Sequence, residues 1–127
     1  MCGIFGIISK TKVDEALAFK SLNLLKHRGP NSYGEYKENE LYMGHRRLSI
    51  LDLSEAGNQP LISNCGKIII TVNGEIYNYK KIKHDLKDKY KFTSESDSEV
   101  IIYGYLEWGI EKLLKKLDGM FSICLFD

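Results

Sequence analysis

The sequence predicts a mixed α/β or α+β domain, on three observations. Short, apolar, β-rich runs occur at residues 3–9, 67–72 and 120–126. Helix-period segments lie between them, at about 12–27, 78–88 and 97–108. The two kinds of segment follow one another in irregular order, with turn signals such as Gly29-Pro30 and Asn73-Gly74 between them.

Taken in order, residues 3–9 (GIFGIIS) form a buried strand. A helix starts near Thr11-Lys12-Val13-Asp14, with an acid in its first turn, and carries Val13, Leu17, Leu24 and Leu25 towards His27. Arg28-Gly29-Pro30-Asn31 stops it. Residues 33–37 and 41–46 suit a hairpin across Glu38-Asn39-Glu40, followed by the apolar run 48–53 and the loop 55–60. The strand KIIITV (67–72) runs into Asn73-Gly74, which predicts a turn directly after it. A polar helix covers 78–88. Ser96 and Glu99 have capping-box spacing, so the next helix starts there and runs to Gly109. A short helix (110–116) and a strand (120–126) complete the chain.

At 127 residues the chain is one domain at most, and with 43% hydrophobic residues it has material for a core. The formal net charge of +1 and interspersed charges, as in residues 83–91, give no support to a nucleic-acid partner. No apolar run is of membrane-spanning length, and the N-terminal apolar segment has no basic stretch before it and is followed closely by Lys10, Lys12, Asp14 and Glu15, unlike a signal peptide, so a cytoplasmic setting is expected. The odd cysteine count (Cys2, Cys65, Cys124) argues against a disulfide framework, and the spacing suggests no zinc site. Cys124 reads as a small core hydrophobe and Cys65 as a turn residue.

Cys2 stands apart by position. A thiol attacks a carbonyl as its thiolate. Removal of Met1 would make Cys2 the first residue, and its own α-amine, of a type that titrates near ~8, could then serve as base. Alone, a cysteine at position two is more often just a packed strand end.

Company makes the difference. Cys2-Gly3-Ile4-Phe5-Gly6 is followed in order by His27-Arg28-Gly29-Pro30, Arg47-Leu48-Ser49-Ile50-Leu51-Asp52, Asn58-Gln59-Pro60-Leu61, Asn73-Gly74-Glu75-Ile76-Tyr77-Asn78, Ser96-Asp97-Ser98-Glu99-Val100-Ile101 and Asp118-Gly119-Met120-Phe121. Over essentially its whole length the chain resembles the class II glutamine amidotransferases, which are N-terminal-nucleophile hydrolases. The RLSILD and NGEIYN forms are most similar to the glutaminase domain of glutamine-dependent asparagine synthetases.

The resemblance implies an α+β fold, an αββα sandwich of two antiparallel sheets flanked by helices. It implies hydrolysis of the glutamine side-chain amide through a thioester on Cys2. Asn73 (side chain) and Gly74 (backbone N–H) would hold the oxyanion, Arg47 the α-carboxylate of glutamine and Asp97 its α-ammonium. Leu48, Ser49, Ile50, Leu51 and Glu75 would line the same pocket. His27, His45 and His84 are expected to be non-catalytic, because the α-amine supplies the base. One departure is Asn31, where the family usually has Asp after HRGP. Bland alternatives stand beside these roles: Asn73-Gly74 as a plain hairpin turn, Arg47 as a surface ion-pair residue, Asp97 as a helix-dipole partner.

The resemblance also implies that the family's domain continues past the point where this chain stops, followed by a synthetase domain that takes the ammonia. On that expectation the chain is C-terminally truncated, as an excerpt, a short relative or a shortened gene product. No metal or organic cofactor is expected for the glutaminase step, with ATP and Mg²⁺ belonging to the missing synthetase domain. The expected partners are glutamine and a synthetase domain or subunit; a homodimer stays open. The ammonia acceptor is asparagine chemistry on the leading reading, with a sugar or polysaccharide carboxylate as the alternative. A non-catalytic glutamine-binding module and an inert fragment are the readings from other classes.

Overall fold

The computed structural model describes residues 1–50 and 52–127. Among these residues, two three-stranded antiparallel sheets are present. The first pairs β1 (Gly3–Ile8) and β2 (Ser32–Glu38) on either side of β3 (Leu41–Arg47). The second pairs β4 (Leu61–Ile62) and β6 (Gly119–Phe126) on either side of β5 (Ile69–Ile76). Helix α1 (Glu15–Asn23) follows β1, while α2 (Tyr79–Leu86) and α3 (Glu99–Lys116) lie between β5 and β6 in sequence.

Three apolar clusters define the layers. Val13, Ala18 and Tyr42 pack with Phe5 and Ile7, so α1 covers one face of the first sheet. Leu41, Met43 and Ile69 pack with Tyr36, Cys124 and Phe126, which joins the two sheets. Ile68, Ile70, Val72 and Ile76 pack with residues of α2 and α3 such as Ile82, Leu86, Ile101 and Leu113. Alternation along each strand sends successive side chains to opposite faces, which lets β3 and β5 each serve two layers. The result is helix, sheet, sheet, helices: the layered α+β arrangement that the resemblance implies.

Several local expectations need correcting. Helix α1 begins later than its periodicity suggests, with Asp14 as N-cap accepting the Leu17 N–H at 3.0 Å. Its buried residues are Ala18 and Leu22, while Leu17 and Leu24 are exposed; Leu22 seats on Gly44, where a Cβ would crowd it. The capping box does not form. Glu99 reaches back to the N–H and hydroxyl groups of Thr93 and Ser94, and Ser96 Oγ accepts from Ser98 N–H instead.

The largest correction concerns Asn73-Gly74. They form no turn; β5 runs straight through them, with Asn73 opposite Ser122 and Gly74 opposite Phe121. Glycine at 74 serves close approach rather than chain reversal, since a Cβ there would collide with the Met120 carbonyl oxygen and with Phe121. Gly109 does act as predicted: at φ 73° and ψ 168° it breaks the helical path inside α3.

Candidate active site

A cavity of about 390 Å³ opens at the end of the sandwich where β1, β3, β5 and β6 converge. Cys2, just ahead of β1, contributes its thiol. The Leu48 N–H donates to Cys2 Sγ at 3.3 Å, and the thiol reaches the Leu48 carbonyl at 3.7 Å. Arg28 Nε donates to the Cys2 carbonyl at 3.0 Å, so the helix-stopping segment after α1 also holds the nucleophile candidate in place. Gly29 lies against the Arg46-Arg47 backbone too closely to tolerate a Cβ. Met1 is 73% exposed and lines the cavity beside Cys2.

Arg47, at the end of β3, is buried, and its fork is largely committed to the loop beyond. Nη1 donates to the Ser54 carbonyl at 2.6 Å and to Asn58 Oδ1 at 3.0 Å, and Nη2 donates to the Asp52 carbonyl. Three of the five guanidinium donors are thus used among the described residues. Asp52 ties this loop to the α3 approach: its carboxylate accepts from Ser54 N–H and Oγ and from Glu95 N–H at 3.0 Å. Those hydrogen bonds, the Ser54 hydroxyl foremost, hold the Asp52 carboxyl below the usual carboxylate range.

Asp97, which also lines the cavity, is buried and its Oδ2 accepts the Ile76 N–H at 2.7 Å. Asn73 presents a side-chain amide whose Oδ1 is buried without a partner among the described residues. Strand geometry locates the Gly74 N–H. Alternate residues of a strand present their N–H and C=O groups to the same edge. On β5 that edge pairs with β4 only at Ile69 and Ile70. Beyond it, the Val72 N–H donates to Gln59 Oε1 at 2.6 Å and the Ile76 N–H to Asp97. Gly74 lies midway and shares their orientation, so its N–H faces the same open edge, where the residue lines the cavity. No side chain among the described residues accepts it.

The cavity wall therefore gathers Cys2, Arg47, Leu48, Ile50, Asn73, Gly74, Glu75 and Asp97 from the expected set. Ser49 is outside that wall; its N–H donates to Asn31 Oδ1 at 3.1 Å, an acceptor that Asn supplies as well as Asp would. Leu51 lies outside the described residues. Sequence reasoning assigned no role to Gln59 or Asp52, although both fall inside motifs it singled out, and it set His45 aside. All three line the cavity. His45 is 1% exposed, and burial first, then the Arg47 charge, pulls its pKa down to about 4 against a carbonyl hydrogen bond that raises it. Among the described residues no His/Cys/Asp/Glu group has the makings of a metal site, and no helix is long and apolar enough to cross a membrane.

This fold and this site define a class. Residues 1–127 match the glutamine amidotransferase domain family, and the chain belongs to it. Among its relatives, the probable asparagine synthetase [glutamine-hydrolyzing] of Schizosaccharomyces pombe is 45% identical over 130 residues, covering 100% of this chain and 23% of that protein. Asparagine synthetase [glutamine-hydrolyzing] 1 of Arabidopsis thaliana is 39% identical, covering 100% of this chain and 22% of that one. The chain thus spans under a quarter of the length of these relatives. A solved glutamine phosphoribosylpyrophosphate (PRPP) amidotransferase from B. subtilis, complexed with ADP and GMP, superposes with a TM-score of 0.82 at 19% identity, over 99% of this chain and 35% of that one. That likeness is one of fold.

Proposed function

We propose that this chain is the glutamine-hydrolysing half of an asparagine synthetase-like enzyme, with Cys2 as nucleophile once Met1 is removed. The α-amine freed on Cys2 takes the thiol proton, and the thiolate attacks the side-chain carbonyl carbon of glutamine. The resulting oxyanion lies between the Asn73 amide and the Gly74 N–H. Collapse expels ammonia with the proton held by the amine and leaves a glutamyl thioester. Water then adds to the thioester, and glutamate leaves as the thiol re-forms. The net reaction consumes glutamine and water and yields glutamate and ammonia.

Asp97 Oδ1 receives the α-ammonium of glutamine, and the guanidinium donors of Arg47 not committed to the loop receive its α-carboxylate. Leu48, Ile50 and Glu75 shape the pocket, with Ser49 braced by Asn31 behind it. In this reading the chain's own groups fill every role in hydrolysis, and ATP and Mg²⁺ belong to the synthetase chemistry of a partner domain or subunit. Ammonia passes to asparagine formation, as the names of the relatives suggest for proteins of which this chain spans a fraction.

The observation that carries the proposal is the Leu48 N–H held 3.3 Å from Cys2 Sγ, in a cavity whose other walls hold Asn73, Gly74, Arg47 and Asp97. Intact mass before and after treatment with a glutamine-mimicking diazo-ketone tests it, with Cys2→Ala as control. Loss of Met1 plus one adduct absent from the control is expected. Retained Met1, or no adduct, sinks the proposal.

A further inference from the structure

Both backbone polar groups of Val72 are held by side chains where a sheet would use a strand. Gln59 Oε1 accepts the Val72 N–H at 2.6 Å. His45 donates Nε2–H to the Val72 carbonyl at 3.1 Å; a carbonyl only accepts, so the proton sits on Nε2. The Val72 N–H belongs to the peptide before that residue, and its carbonyl to the peptide joining it to Asn73. Fixing both peptide planes anchors the chain just before Asn73, and pairing with Ser122 on β6 constrains Asn73 itself, so together they set where its side chain departs and how the next peptide, which carries the Gly74 N–H, is turned. On the far side, Asp97 fixes the Ile76 N–H at 2.7 Å. A neighbouring strand would make the same bonds at Val72 and Ile76, but it would also consume the Gly74 N–H between them. Side chains anchor the flanks and leave the middle donor open.

We infer that His45 and Gln59 are positioning residues for the oxyanion site, standing in for the strand that β4 does not extend to provide. The inference rests on the reading of Cys2 as nucleophile with Asn73 and Gly74 as oxyanion donors. His45 and Gln59 touch no reacting atom and act through Val72. Both are well placed to hold position: His45 is 1% exposed and Gln59 7%, and Gln59 Nε2 is itself braced by Ser98 Oγ at 3.4 Å. They also come from different elements, His45 from β3 in the first sheet and Gln59 from the loop before β4. The bond from His45 thus sets β5 relative to the sheet that leads into Cys2.

The test compares this chain with its H45L, H45Q and Q59L variants in two assays. One is steady-state glutamine hydrolysis. The other is alkylation of Cys2 by iodoacetamide, in which sulfur displaces iodide at a saturated carbon and no oxyanion forms. Losing or misplacing an oxyanion donor costs on the order of a hundredfold in rate, so H45L and Q59L should lower kcat by about 10- to 100-fold. KM should stay within about threefold and the alkylation rate should match the parent. In H45Q the amide nitrogen of glutamine occupies the place of Nε2, so kcat should recover to within about fivefold of the parent. Unchanged kcat in H45L overturns the inference. So does a parallel fall in kcat and alkylation, which marks a general loss of structure. A parent chain that alkylates yet never hydrolyses glutamine sinks the functional reading itself, an outcome separate from either of these.

Discussion

Asp97 carries two duties that substitution can separate. Its Oδ2 accepts the buried Ile76 N–H, and its charge faces the cavity. Asp97→Asn keeps an oxygen for the N–H and removes the charge. If the carboxylate holds the substrate's α-ammonium, this change should raise KM for glutamine by about tenfold or more and shift thermal stability little. Asp97→Ala also strands the Ile76 N–H, so it should cost a further ~1–3 kcal/mol in unfolding free energy. Denaturant titration beside glutamine kinetics measures both, and an unchanged KM in Asp97→Asn removes Asp97 from substrate binding. Gly74 is a contrasting case, because its demand is steric. Gly74→Ala drives a methyl into the Met120 carbonyl and Phe121, and should destabilise the β5–β6 pairing by ~1–3 kcal/mol while lowering turnover.

At the level of elements, α3 makes the clearest prediction. Gly109 adopts φ 73° and ψ 168°, a region essentially reserved for glycine, yet a Cβ there would meet open space. Gly109→Ala should therefore cost ~1–3 kcal/mol through the backbone alone, whereas Leu113→Ala, just beyond the kink and fully buried, should cost ~2–5 kcal/mol through a cavity. Thermal melts of the two variants check both values; an unaffected Gly109→Ala would mean that the helix runs straight in solution. Gly109 was legible in the sequence because glycine interrupts helical periodicity locally. Asn73-Gly74 was not, for the opposite reason: turn propensity is local, while pairing with β6 is set by a strand far along the chain. Similarly, the identities of Cys2, Arg47, Asn73 and Asp97 could be read from motifs, and the structure gathers them around one cavity. The open edge of β5 could not be read, because it depends on where β4 stops pairing. Nor could the commitment of Arg47 to the 52–58 loop, since a charged residue in a motif says nothing of which acceptors fold over it.

Across the whole molecule, the two sheets meet through two kinds of contact. Leu41, Met43 and Ile69 form an apolar seam, and towards the site the His45–Val72 hydrogen bond crosses from β3 to β5. Burial of His45 at that contact makes stability sensitive to acid, while the bond itself favours the protonated ring and opposes the effect. In the folded chain burial holds the His45 pKa at about 4, below its ordinary 6.5. As pH falls through 6.5 the unfolded chain takes up this proton while the folded chain refuses it, so stability is full above that value and declines until folded His45 also protonates near 4. The loss amounts to roughly 3 kcal/mol over that window. Asp52 contributes elsewhere: its carboxyl is held below an ordinary 3.8, so its share is lost only at lower pH. Glutamine does not titrate, so H45Q should flatten the acid limb between about pH 7 and pH 4 relative to the parent, with carboxylate effects common to both chains cancelling. Urea unfolding across that range provides the comparison. If the two chains lose stability in parallel, His45 is not held neutral between the sheets.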